Sequence, residues 1–266
     1  MVIVNCAGRT RSIIGCQSLI NAGIPNPVVA LKDGTMGWHL AGFALDHGQT
    51  RSAPKVSESG LARAQAMAAS VSQRFGVRKI TPSELSMFQD EAGERSLFLL
   101  DVRSAEEFEA GHLPGSRSAP GGQLVQATDE YVAVRNARLV LIDDTGVRAV
   151  MTASWLIQMG WEAVYVLEGG LQSSDLETGT AEGRVLGLGG LSVSVLSPLQ
   201  LDRLLGDDGT VVFDLADSLE FKAGHIPGAR RAARLGFSAA LEGLPVGSQV
   251  VVTSVDGVLA QLTVAE

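Results

Sequence analysis

The chain has 266 residues, 45% hydrophobic and 19% charged, a globular composition long enough for about two domains. Its 29 acidic against 21 basic residues give a net charge of −8 with no basic run, which argues against a nucleic-acid surface and leaves room for a local anion site. Two cysteines are too few for a disulfide framework, no apolar run approaches the roughly 18 residues of a spanning helix, and nothing before the first strand reads as a signal peptide. A cytoplasmic protein without a membrane partner is expected.

The opening stretch Val2-Ile3-Val4-Asn5-Cys6-Ala7-Gly8-Arg9-Thr10-Arg11-Ser12-Ile13-Ile14 sets Cys6 between a β-favouring run and a helix-compatible one. That order puts the thiol below a helix N-terminus, where backbone N–H groups and the nearby Arg9 and Arg11 favour a thiolate. A helix over 13–21 and a strand over 28–31 follow, too few strands for an independent layered domain. Residues 46–58 read as a linker, and 61–75 as an alanine-rich helix.

A full unit begins near Val77. Thr81-Pro82-Ser83-Glu84 carries a capping box with proline at the first helical position. Strands are expected at 97–100, 139–142 and 163–167, with helices at 106–110 and 149–159, which is the order of a parallel sheet covered on both faces. Glycine-rich residues 179–192 read as a connection. A second cycle then starts at Ser197-Pro198-Leu199-Gln200 and continues through strands at 211–214 and 250–253, without the last strand.

Internal comparison aligns three loops. Setting Arg11-Ser12 on Arg148-Ala149 places Cys6 against Asp143, and Ser254 falls at the same point of the third loop. Gly224-His225-Ile226-Pro227-Gly228 lies 113 residues after Gly111-His112-Leu113-Pro114-Gly115.

Asp101-Val102-Arg103, Glu107 and Gly111 to Ser116 resemble the amino-terminal signature of the rhodanese-like sulfurtransferase family. Asp214, Glu220 and Gly224 to Ala229 repeat it, with Ala216 in place of the arginine matching Arg103. Cys6 to Ser12 is similar to the family's catalytic loop. The resemblance implies an α/β fold of tandem three-layer units with parallel central sheets. The expected domains are 1–50 (the carboxyl-terminal half of a unit), 51–75 (linker helix), 76–178 (complete, without the cysteine) and 193–266 (partial).

It also implies persulfide chemistry, with sulfane sulfur moving from thiosulfate or a related donor to cyanide or a thiol and no cofactor or metal. Cys6 is then the expected nucleophile and Arg11 its catalytic partner, with Ala7, Gly8, Arg9, Thr10 and Ser12 binding substrate. Four residues separate Cys6 from Arg11, where phosphatases with this loop design have five, so phosphatase activity is the weaker reading. Asp143, Arg148 and Ser254 are degenerate sites, since a carboxylate cannot form a persulfide and Ser254 lacks an activating base. An Asp143–Arg148 pair is expected.

The competing reading is an inactive scaffold or regulatory module. Residues 1–45 are further expected to complement 193–266, within a chain or in a homodimer. Cys16 reads as a small buried side chain, His112 and His225 as loop-ordering residues, and Trp38, Trp155 and Trp161 as core or interface.

Overall fold

The structure is a computed structural model, and it describes every residue except 52, 173, 174, 181–184, 186, 207 and 208. The chain falls into two compact units, Met1–Glu182 and Gly183–Glu266. Part of the expected connection at 179–192 lies outside the described residues.

Unit 1 opens with β1 (Val2–Val4), α1 (Thr10–Asn21), β2 (Val28–Ala30) and α2 (Gly34–Leu40). Then come α3 (Glu58–Phe75), β3 (Arg78–Ile80), α4 (Pro82–Asp90), β4 (Leu97–Asp101), α5 (Ala105–Ala110) and β5 (Arg117–Ser118). It closes with α6 (Gly121–Gln126), α7 (Thr128–Tyr131), β6 (Arg138–Ile142), α8 (Val147–Gln158) and β7 (Val164–Leu167). Helix α1 begins three residues before the expected start, because Arg9 already takes the N-cap position.

The five-stranded sheet has the order β3-β7-β6-β4-β5, and all its pairs are parallel. Its middle strand explains the layering. Leu139 and Leu141 of β6 face a core shared with α3, α6 and α8, through Ala68, Leu124 and Leu156. Val140 and Ile142 point the other way, into a second core with Ile80, Leu85 and Leu167. All four residues are fully buried, as a strand covered by helices on both faces requires. The Thr81 hydroxyl and the Glu84 carboxylate form the expected reciprocal cap at the start of α4.

Strands β1 and β2 make a separate parallel pair, with Ile3 opposite Val29. The amino-terminal fragment is not isolated, since α1 packs on α6 and the Trp155 indole donates to the Ser18 hydroxyl at 2.8 Å. Trp38 is more exposed than a core assignment allows, at 43%, and packs against Phe43 with the two rings tilted by 36°.

Unit 2 holds a 3₁₀ turn (Leu188–Gly190), α9 (Pro198–Leu204), β8 (Thr210–Asp214), α10 (Ser218–Ala223) and β9 (Arg230–Arg231). It ends with α11 (Phe237–Leu241), β10 (Gln249–Thr253) and α12 (Val258–Val264). Its sheet order β10-β8-β9 repeats the parallel β6-β4-β5 portion of unit 1. One core, built on Phe213, Leu215 and Ala232, packs with Phe237, Val252 and Leu259. Among the described residues, no helix is long and apolar enough to cross a membrane.

Candidate functional site

Each strand-to-helix loop presents one side chain to a cradle of backbone N–H groups, and the three loops fill that cradle differently. In the central loop the Asp143 carboxylate occupies it. Gly146 donates its backbone N–H to Oδ1 at 2.7 Å, while the Arg148 N–H and the Thr145 hydroxyl donate to Oδ2 at 2.8 and 3.2 Å. The negative charge that such a cradle would take from solution is therefore supplied by the loop itself. Gly146, at φ 76, makes the turn. Gly170, at φ 50, lies so close beneath the loop that a Cβ there would collide with the Asp143 carbonyl oxygen, as one on Gly34 would collide with that of Cys6.

The expected Asp143–Arg148 side-chain pair does not form. Instead the Arg148 guanidinium reaches across to α5, bonding both Glu107 oxygens at 2.7 and 3.0 Å, and also holds Asp144 at 2.9 Å. Only the Arg148 backbone serves Asp143. The bidentate geometry explains the choice, since two parallel N–H···O bonds outweigh one contact to a carboxylate already satisfied by backbone donors. Arg148 holds the Glu107 carboxyl down to about 2, against the opposing effect of burial and with help from the Ser104 backbone.

Beside this loop, Asp101 and Arg103 form a buried pair. Arg103 donates Nε and its own backbone N–H to Asp101 Oδ1, both at 3.0 Å, and Nη2 to Oδ2 at 2.6 Å. The same Nη2 reaches the Gly111 carbonyl at 2.6 Å, tying the end of β4 to the Gly-His-Leu-Pro-Gly turn. His112 stacks on Phe108 at 3.7 Å and donates Nδ1–H to the Phe108 carbonyl, which orders the turn. His225 and Phe221 repeat this stack at 3.8 Å.

The Cys6 loop has another backbone form. Arg9 stands where the other loops have Gly146 and Gly257, at φ −121. The half-buried Cys6 thiol is held below its ordinary pKa chiefly by the Ser12 hydroxyl. Burial opposes this, while the N–H groups of Ser12 and Gly8 and the Arg11 charge add to it. The Ser12 hydroxyl also lies 2.8 Å from the Arg9 carbonyl, so its one proton can serve either acceptor.

Ala7, Arg9, Thr10 and Arg11 are exposed, and Cys16 is half-buried rather than a core residue. Arg11 borders a groove of about 280 Å³ between α1 and α6–α8, with Gly122, Arg148 and Trp155. In the third loop the Ser254 hydroxyl accepts from the Ala260 N–H at 3.1 Å, and Asp256 takes the Val258 N–H at 3.0 Å.

These Cys6 contacts set an expected result. Alkylation of Cys6, followed by peptide mass, should reach half its limiting rate at a lower pH in the folded chain than in the chain unfolded in urea, because the lowered pKa leaves thiolate present at lower pH. Ser12→Ala should move that midpoint back up. Coincident folded and unfolded curves would show that the loop does not stabilise the thiolate.

Residues 81–174 match the rhodanese-like domain family. The chain contains a rhodanese-like domain. A crystal structure of thiosulfate sulfurtransferase from Pseudomonas aeruginosa superposes with a TM-score of 0.91 at 50% identity, covering 99% of this chain and 50% of that one. YqhL of Bacillus subtilis, an uncharacterized protein, is 38% identical over 82 residues, 30% of this chain and 63% of its own. Thiosulfate sulfurtransferase GlpE of Pseudomonas paraeruginosa is 26% identical over 113 residues, 40% of this chain and 96% of its own. The chain thus spans about half the length of the solved Pseudomonas aeruginosa chain.

The domain match corrects the expected persulfide chemistry. Cys6 and Cys16 are the only cysteines, and both lie outside the rhodanese-like domain at 81–174. The loop of that domain carries Asp143 instead, with its carboxylate already in the cradle. The motif around Cys6 supports persulfide chemistry only with a complete unit around it, and the matched domain does not include it.

Sequence reasoning also missed the long reach from Arg148 to Glu107. The repeat comparison did contain a further signal, the exchange of Arg103 for Ala216, whose consequence appears only once the cavity beside it is seen.

Proposed function

We propose that this chain is a catalytically inactive rhodanese-like module that scaffolds or regulates a partner through its loop faces. Asp143, Arg148 and Ser254 are degenerate positions in this reading, kept for loop structure. The observation that carries it is the Asp143 carboxylate, held by the Gly146 and Arg148 N–H groups where a sulfur anion would have to bind. Arg148, engaged by Glu107 and Asp144, is likewise committed to structure.

The test is treatment of the reduced, folded chain with thiosulfate, followed by intact mass and by thiocyanate release after cyanide addition. No sulfur uptake and no thiocyanate are expected. A reducible gain of one sulfur atom, or turnover above buffer, would overturn the module reading.

A further inference from the structure

The carboxyl-terminal unit keeps two acids of the central unit, the counterparts of Asp101 and Glu107, and has lost the arginine that pairs with each. Asp214 stands where Asp101 does, at the end of the corresponding strand, but Ala216 replaces Arg103. Glu220 repeats Glu107, and in the aligned loops Leu259 takes the place of Arg148. In the central unit the two carboxylates are neutralised by guanidinium groups at hydrogen-bond distance. In unit 2 neither acid has an ion-pair partner among the described residues.

A cavity of about 400 Å³ lies at this place, lined by Asp214, Ala216, Glu220, Gly224 and His225. Three of these, Asp214, Ala216 and Gly224, are the repeat counterparts of the groups that the Arg103 side chain belongs to or bridges, namely Asp101, Arg103 and Gly111. Asp214 is only 7% exposed. Its Oδ1 accepts the Ala216 N–H at 2.9 Å, while Oδ2 has no hydrogen-bond partner among the described residues. Glu220 uses one oxygen on the Asp217 N–H, leaving the other free among the same residues. A largely buried carboxylate with one unpartnered oxygen at the wall of a cavity is a ready acceptor for an entering cation.

We infer that this cavity is a binding site for an alkylguanidinium group, the side chain of an arginine or a free guanidino compound, seated as Arg103 is in the central unit. The planar fork suits the site better than an ammonium. In the central unit one guanidinium meets both carboxylate oxygens and a carbonyl at once, a pattern that a compact three-donor ammonium does not reproduce. Glu220, Gly224 and His225 are exposed at the rim, so the group can enter from solvent. The inference rests on the reading of the chain as a binding module and supplies the chemistry of what it binds.

The experiment is calorimetric titration of the full chain at constant ionic strength with ethylguanidinium, with ethylammonium and sodium as matched cations. Blocked Gly-Arg-Gly and Gly-Lys-Gly peptides separate a polypeptide arginine from a free compound. Saturable binding of ethylguanidinium or the arginine peptide is expected, with the ammonium counterparts about fivefold weaker or more.

Asp214→Asn should weaken binding roughly tenfold or more. Ala216→Arg should abolish it by placing a guanidinium in the site covalently, and it keeps the test decisive should Asp214→Asn not fold. Absence of saturation, equal ammonium binding, or unchanged affinity in Ala216→Arg would overturn the proposal. Sulfur uptake from thiosulfate would sink the module reading and leave this binding intact, whereas a failed titration sinks the site alone.

Discussion

Arg103→Ala is expected to destabilise unit 1 by about 3–5 kcal/mol, the usual consequence of removing one partner from a buried ion pair. Asp101 is fully buried and Arg103 7% exposed, so the deletion strands a carboxylate with only the residue-103 N–H as donor and also unties the Gly111 carbonyl. Urea unfolding followed by tryptophan fluorescence isolates the effect, because Trp38, Trp155 and Trp161 all lie in unit 1. Arg103→Lys should recover only part of the loss, since an ammonium cannot hold both Asp101 oxygens and the Gly111 carbonyl with the same fork. A loss below about 1 kcal/mol for Arg103→Ala would show that the stranded carboxylate finds water or a proton, and the buried-pair account would fail.

The same substitution stands naturally in unit 2, with a different surrounding. Ala216 leaves Asp214 beside an open cavity rather than inside a closed core. Leu199, Leu219 and Leu235 of that unit are 74%, 76% and 96% exposed, and a single core cluster supports its sheet. The cost of an unpaired carboxylate falls where water or a ligand reaches it, so unit 2 can carry the arginine-to-alanine exchange that unit 1 should not tolerate.

Local features of this fold were legible in the sequence because short-range chemistry decides them. The capping boxes at Thr81–Glu84 and Ser197–Gln200 and the buried apolar strands ending at Asp101, Ile142 and Asp214 are set by neighbours within a few residues. The two-residue strands β5 and β9 and the short helices α6 and α7 lack any such signature. Tertiary pairing defines them, as Leu100 and Asp101 define Arg117 and Ser118.

The site was harder to read for the same reason. A motif placed Cys6 and Arg11 in a loop, but the partner of Arg148 sits 41 residues away, and only folding brings Glu107 to it. The role of Asp143 as an internal anion required the positions of the Gly146 and Arg148 N–H groups, which spacing alone does not supply.

Asp143 gives the second large effect. Asp143→Ala should cost about 2–3 kcal/mol, because the Gly146 and Arg148 N–H groups lose a charged acceptor at the start of α8 and the Thr145 hydroxyl loses its anchor. Asp143→Asn keeps an acceptor oxygen and should lose about half as much.

The alanine variant should also acquire what the native loop lacks, a vacant cradle of N–H groups at a helix N-terminus. Sulfate should then raise its fluorescence-detected midpoint more than it raises that of the native chain, the excess being specific binding added to the general effect of the salt. Parallel sulfate responses in the native chain and in Asp143→Ala would mean that the cradle collapses once its carboxylate is gone. In that case the carboxylate shapes the loop rather than occupying a preformed anion site, and the degeneration of the central loop would be structural as well as chemical.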